Sequence, residues 1–136
     1  MADITQAVDR AIKEDGALIA LPMAVVKIVR GSAVFKNAAG FATGTFAASL
    51  PFLGICEGTK DNTTGAAGSK LVATRRVGVA RFETTGMVQT DVGEKVYLSD
   101  NTTVTKTAVG NSLAGTIVVV ESATAVWVDI LKAIGV

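Results

Sequence analysis

The chain has 136 residues, of which 13 are basic and 12 acidic, so its formal net charge is +1. This is the length of one ordinary domain, and the charge balance argues against a whole-molecule electrostatic attraction to nucleic acid or to a membrane. Hydrophobic residues make up 49% of the sequence, aromatic residues only 5%, and 14 residues are glycine. This composition favours short β-strands joined by tight turns over a helical bundle.

The N-terminal stretch predicts a short amphipathic helix over residues 3–15. Asp3 can cap its first turn and Gly16 can end it. Its apolar residues recur at helical spacing and are Ile4, Ala7, Val8, Ala11 and Ile12. A helix of about 13 residues is marginal in isolation, so we expect its apolar stripe to pack on its own domain or on another subunit. We divide the chain into an N-terminal helical arm, 1–16, hypothesised to pack against another chain, and a single β-domain, 17–136.

From residue 17 the apolar spacing becomes that of extended chain, with Val and Ile enriched. The predicted extended segments are 17–21, 24–29, a hairpin over 30–42 that turns near Asn37–Gly40, 51–58, and 70–83 as two strands or one strand bent at Gly78. Between them, the small and polar residues 59–70 have no hydrophobic anchor. We expect this stretch to be an exposed, mobile loop.

The C-terminal third predicts two further hairpins. Residues 94–100 and 103–107 flank Asn101, and residues 114–122 and 125–131 flank a turn near Ser122–Thr124. The run 117–120 ("IVVV") does not alternate, which is typical of a strand covered on both faces. The predicted core residues are Val96, Ile117, Val119, Val126, Val128 and Ile130, with Trp127 and Asp129 on the opposite face. The fold class is therefore all-β: a compact β-sandwich or barrel of about nine short strands with a short N-terminal helix or arm.

Few residue types that carry out catalysis or bind metals are present. The sequence has no histidine and one cysteine, which excludes a Ser-His-Asp triad and argues against a structural zinc site. Cys56, in an apolar run, is interpreted as a buried small hydrophobic residue. Asp61, Asp91 and Asp100 fall in predicted turns, where Asp is common. We predict no enzyme activity, and no catalytic, cofactor-binding or metal-binding residues.

Two further patterns are weak. "GAAGSK", residues 65–70, differs from a phosphate-binding loop in its Gly-Ser-Lys order and in the strand predicted after it, so we interpret it as a flexible turn. The most apolar stretch, residues 17–29, is interrupted by Pro22 and Lys27 and is too short to span a membrane. The polar N-terminus does not resemble a signal peptide, and the sequons at Asn62 and Asn101 imply nothing about secretion. We expect no membrane partner.

A locally basic stretch contains Lys60, Lys70, Arg75, Arg76 and Arg81. A strand face with Arg75 and Arg81 could meet nucleic acid. The sequence has only one Tyr and one Trp, however, and aromatic side chains for base stacking are therefore scarce. We interpret these arginines as solvated or as pairing with another subunit, and we expect no nucleic-acid partner.

Four segments occur in an order that resembles the small decoration, or capsid cement, proteins of tailed bacteriophages. They are "RGSAVFKNAAGFA", "FLGICEGTKDNTTGAAGSKLVATRRVGVARFE", "VGEKVYLSDNTTVTK" and "AGTIVVVESATAVWVDI". The resemblance covers about residues 24–131 and does not extend to residues 1–23. It implies a compact β-fold made in the host cytoplasm and placed on the outer capsid surface of the virion, as a homo-oligomer, with a trimer favoured. The implied partner is the major capsid protein, whose neighbouring subunits it would brace.

The alternatives are another virion component, such as a tail or head-completion protein, and a small carbohydrate-binding module. A sugar-binding module usually presents exposed aromatic side chains, for which this sequence offers only Tyr97 and Trp127.

Overall fold

The computed structural model describes residues 17–130, which form twelve strands and a single-turn 3-10 helix at Gln89–Asp91. The strands are β1 (Leu18–Pro22), β2 (Lys27–Ile28), β3 (Ala33–Lys36), β4 (Ala42–Thr43), β5 (Phe52–Cys56), β6 (Lys60–Asp61), β7 (Leu71–Arg75), β8 (Val79–Glu83), β9 (Lys95–Leu98), β10 (Val104–Thr105), β11 (Ser112–Ser122) and β12 (Ala125–Asp129). The helix predicted over 3–15, the arm 1–16 and the last six residues lie outside the described residues.

The strands form two five-stranded sheets and a two-stranded ribbon. The first sheet has the order β1-β7-β5-β3-β4, the second has the order β10-β9-β11-β12-β8, and β2 pairs with β6. All pairs of named strands are antiparallel. The predicted all-β class is confirmed, as a sandwich. Each large sheet comes from one part of the chain, the first from residues 18–75 and the second from residues 79–129.

The predicted extended segments are strands for the most part. The segment 70–83 is two strands, β7 in the first sheet and β8 in the second. The segment 24–29 is extended only at Lys27–Ile28, because residues 24–26 turn, with the Val26 N–H donating to the Ala24 carbonyl at 2.9 Å. Four strands are only two residues long, so the strand count exceeds the number that periodicity suggests.

The main core lies between the two sheets. Its large side chains include Phe35 and Phe52 from the first sheet and Phe82 and Ile117 from the second. A smaller cluster lies on the other face of the first sheet and draws only on the N-terminal half; its members are Met23, Ile28, Val34, Ala42, Cys56 and Val72. The first sheet is thus covered on both faces at β3, where Val34 and Phe35 point into different clusters.

Five of the six predicted core residues are buried, and Val119 is not. Val96, Ile117, Val126, Val128 and Ile130 lie in the main core, whereas Val119 is 49% exposed. The prediction for Val119 was wrong because the pairing of β11 with β12 shifts register after Ile117. A register shift of one residue moves the following side chains to the opposite face. The expectation that residues 117–120 are covered on both faces fails for the same reason.

The polar stretch 59–70 has a buried anchor that the sequence prediction missed. Asn62 is fully buried, and its amide donates to the carbonyls of Ala24 (3.1 Å) and Ala66 (2.9 Å) and accepts from the Ser69 hydroxyl (3.0 Å). Lys60–Asp61 also pairs with β2. The residues around Asn62 are mostly exposed, as predicted. The stretch is nevertheless fastened to the domain, because a fully buried amide needs hydrogen-bond partners and Asn62 finds one of them at Ala24, outside the stretch.

Candidate interaction surface

Trp127 lies on the outer face of the second sheet. Its neighbours in β12, Val126 and Val128, point into the main core. Directly across from Trp127 are Val119 in β11 and Arg81 in β8. Three strands therefore present these side chains in one row. We call the surface formed by Arg81, Val118, Val119, Glu121 and Trp127 the Trp127 face.

Two irregularities in β11 enlarge this surface. The register against β12 shifts between Ile117 and Val119 and again between Val120 and Ser122. A bulge opposes two residues of one strand to a single residue of the other. Val118 and Val119 are consequently both exposed, at 39% and 49%. The second shift leaves Glu121 and Ser122 exposed in the same way.

The Glu121 carboxylate connects the polar groups of the Trp127 face. One oxygen accepts from the Arg81 guanidinium at 2.9 Å, and the other accepts from the Trp127 indole N–H at 3.1 Å. The hydrogen bond from Arg81, followed by that from Trp127, lowers the pKa of Glu121 below its usual value. The hydrogen bond to Glu121 likewise raises the pKa of Arg81. Both groups are therefore charged at neutral pH.

This ion pair orients side chains more than it stabilises the fold. The Arg81 and Glu121 side chains are 50% and 45% exposed, and solvent screening leaves an exposed pair of this kind with little effect on stability. The geometry, however, fixes the indole and the guanidinium on either side of one carboxylate. Trp127 thus presents a held ring beside two exposed valines, with no unpaired charge among the five side chains.

The structure does not bring the predicted arginines together. The Arg75 side chain pairs with Glu57, and Arg81 pairs with Glu121, so each cation is matched by a carboxylate of the same chain. Arg76 donates its backbone N–H to the Ala17 carbonyl at 2.8 Å, and its half-buried side chain lies beside apolar residues of the first sheet. Arg75 and Arg81 lie on strands of different sheets and therefore do not share one strand face.

Tyr97 lies on the same sheet as Trp127 but far from it. It pairs with Leu113 near the start of β11, whereas Trp127 pairs with Val119. Six residues of strand separate the two positions along β11, or about 20 Å. The two aromatic side chains therefore do not form a single platform.

Three aspartates and the cysteine elsewhere in the described chain have structural roles. Asp61 accepts from the backbone and hydroxyl of Thr63, and Asp100 accepts from the backbone N–H groups that follow it in its turn. Asp91 accepts from the Val88 N–H and from the Lys106 ammonium, both at 2.9 Å. Cys56 is buried, as predicted, and burial raises the pKa of its thiol.

A cleft of about 450 Å³ opens near the turn between β9 and β10. Its lining includes Lys27, Ser32, Phe46, Asp100 and Asn101. Several of its polar groups are already engaged: the Asn101 amide donates to the Gly44 carbonyl at 3.2 Å, and the Ser32 hydroxyl donates to the Ala33 carbonyl at 2.8 Å. The cleft therefore offers no poised pair of nucleophile and base among its described residues.

Within residues 17–130, no group of three or more acidic or cysteine side chains is arranged to hold a metal ion. The same part of the chain contains no helix that is long and apolar enough to cross a membrane.

Comparisons with known proteins assign no family. No family model, curated protein or solved structure matches the chain. The function is therefore argued from the Trp127 face itself. The outward position of Trp127 could be predicted from the alternation of β12. The exposure of Val118, Val119 and Glu121 could not, because it depends on bulges that the sequence does not mark.

Proposed function

We propose that this chain is a structural protein that decorates the outer surface of a tailed-phage capsid and stabilises junctions between major capsid protein subunits. The proposal gives it no catalytic role and places it on the virion as a homo-oligomer, with a trimer favoured. The observation that carries it is the Trp127 face, a rigid apolar and aromatic surface on an all-β scaffold. The resemblance in sequence order to capsid cement proteins supports the choice of partner.

The chemistry of the Trp127 face suits a protein partner. Residues at the centre of protein interfaces are enriched in Trp and Arg, and unpaired charges are depleted there. Arg81 and Glu121 already pair with each other, so burying them together leaves neither charge without a partner. The hydrogen bond from Trp127 to Glu121 orders the indole before binding, which lowers the entropy cost of association.

The Trp127 face is the centre of an interface and not the whole of it. A stable interface buries about 800 Å² on each partner, more than five side chains provide. An expanded shell under internal DNA pressure fails first at junctions between subunits. A small protein that bridges two or three subunits adds interface free energy at each junction, and repetition over the shell multiplies a modest local gain.

The test is binding of the purified protein to phage heads built from the major capsid protein encoded with it. We expect binding to expanded heads and not to unexpanded ones. Trp127→Ala should weaken binding by about 30-fold or more, as for a central interface residue. Tyr97→Ala, on the same outer face and about 20 Å away, is the matched control and should bind within about threefold of wild type. Both variants should keep the β-type circular dichroism spectrum.

Two results would overturn the proposal. One is a lack of binding to either form of the head by the folded wild-type protein, which would favour a tail or head-completion role. The other is binding by the folded Trp127→Ala variant within about threefold of wild type, which would show that the Trp127 face is not the contact.

A small carbohydrate-binding module is the second candidate, because Trp127 is a partly exposed aromatic ring beside Arg81 and Glu121. It is the weaker candidate, since Tyr97 does not extend the platform and the indole N–H is already engaged. Titration of Trp127 fluorescence with oligosaccharides distinguishes the two functions.

A further inference from the structure

An apolar groove lies on the first sheet, on the face turned away from the second sheet. It has a volume of about 220 Å³, and its described lining residues are Ile19 and Leu21 from β1, Leu53 from β5, and Arg76. Leu21 and Leu53 pack against the smaller core cluster. The groove is therefore an extension of that cluster along the edge strand β1.

Arg76 is the one charged side chain in the described lining of the groove. It is half-buried, and within residues 17–130 it makes no ion pair. A partly buried guanidinium beside apolar side chains is stabilised by a carboxylate that shares its site. The groove thus selects an occupant that is apolar along one side and acidic at one end.

The position of Arg76 also determines which end of the groove receives the acidic residues of the occupant. Its backbone N–H donates to the Ala17 carbonyl at 2.8 Å, next to the first residue of β1. The acidic end of the occupant therefore lies beside the point where residues 1–16 join the described domain.

The segment 1–16 has these properties. Its predicted helix carries an apolar stripe that includes Val8 and Ile12, and Glu14 and Asp15 follow directly before Gly16. Two or three residues of chain span at most about 10 Å, so these carboxylates are tethered close to Arg76. A tethered segment also competes at an effective concentration on the order of millimolar, which favours the groove of its own chain over that of a neighbour.

We propose that residues 1–16 fold back over this groove of their own chain, with the apolar stripe on Ile19, Leu21 and Leu53 and the Glu14–Asp15 pair beside Arg76. The segment then acts as a strap that completes the smaller core cluster. This replaces the sequence-based hypothesis that it packs against another chain, and it does not depend on the proposed capsid function.

The test is disulfide trapping in the full chain with Cys56→Ala, which removes the native thiol. Ile12→Cys is combined with Leu53→Cys, two positions far apart in sequence that the proposal brings together. Lys13→Cys with Leu53→Cys is the matched control, because the tether is nearly the same length. Lys13 is about 100° around the predicted helix from Ile12 and points away from the centre of the apolar stripe. Rates are followed on non-reducing gels at several protein concentrations, and circular dichroism checks that each variant is folded.

We expect the Ile12 pair to form an intramolecular disulfide at least about tenfold faster than the Lys13 pair, at a rate independent of protein concentration. Disulfide-linked dimers that increase with concentration would overturn the proposal in favour of docking on another chain. Equal rates for the two pairs, or no disulfide in either, would overturn docking in this groove.

Charge reversal tests the acidic end independently. Arg76→Glu should slow trapping of the Ile12 pair by about threefold. Adding Glu14→Arg and Asp15→Arg should restore the rate. An unchanged rate in Arg76→Glu would show that Arg76 does not select the segment.

Discussion

Replacing Gly115 by Ala should destabilise the domain strongly, because the second sheet leaves no room for a side chain there. Gly115 lies in β11 with φ +152, and a Cβ atom at this position would lie well under 3.0 Å from the Asp129 carbonyl oxygen. The backbone conformation costs a non-glycine residue about 1–3 kcal/mol, and relief of the overlap costs about as much again. We expect a loss of about 2–6 kcal/mol, from a total that is only about 5–15 kcal/mol in most domains.

Two other glycines separate these contributions. Gly86 has φ +71 with no atom within 4 Å of a built Cβ, and Gly58 has the same open space without a positive φ. Gly86→Ala should therefore lose about 1–2 kcal/mol, from backbone strain alone. Gly58→Ala should be neutral or gain up to about 1 kcal/mol, since alanine restricts the unfolded chain.

The assay is equilibrium unfolding in urea, followed by the fluorescence of Trp127, the only tryptophan. The expected order of stability is Gly58→Ala, then Gly86→Ala, then Gly115→Ala. If Gly115→Ala lost no more stability than Gly86→Ala, β11 and β12 would not approach as closely as described.

Three further predictions concern the core, the pH dependence and the thiol. Ile130→Ala should cost about 2–5 kcal/mol in urea unfolding, whereas Val119→Ala should change stability by no more than about 0.5 kcal/mol. Equal losses would indicate that Val119 is buried, as the sequence alone predicted. Hydrogen bonding to Lys106 lowers the pKa of Asp91 in the folded state. The stability from this carboxylate is therefore present above its ordinary pKa of about 3.9 and is lost as pH falls through the lower folded value. Asp91→Asn should lower the urea midpoint at pH 6 and lower it less at pH 3. Cys56 should react with a thiol reagent no faster than the domain opens, and prompt labelling of the native protein would contradict its burial.

Features that depend on neighbouring residues could be predicted from the sequence. The hairpin turn after β3 is one, because Asn37 accepts hydrogen bonds from the N–H groups of Ala39 (3.0 Å) and Phe41 (2.9 Å), and Gly40 adopts φ +91. Such turn chemistry is local and visible in the residue types. The alternation that placed Val126 and Val128 inside and Trp127 outside is equally local.

Features that depend on distant partners could not be predicted in this way. Asn62 looks like one more polar loop residue, but its amide reaches the carbonyl of Ala24, 38 positions away. Arg81 and Glu121 are 40 positions apart, and only the antiparallel order of β8, β12 and β11 brings them together. The exposure of Val119 follows from a bulge that is defined by the partner strand. The Trp127 face therefore became visible only in three dimensions.

The division of the two sheets between the halves of the chain has a consequence for synthesis on the ribosome. The first sheet is complete at Arg75, together with the smaller cluster that covers one of its faces. Its other face, which carries Phe35 and Phe52, stays uncovered until the second sheet emerges. At roughly 5–20 residues per second, the roughly 55 residues up to 130 take about 3–11 s to add. For those seconds the nascent chain exposes an apolar sheet face to solvent, and chaperones that bind such surfaces have their opportunity then.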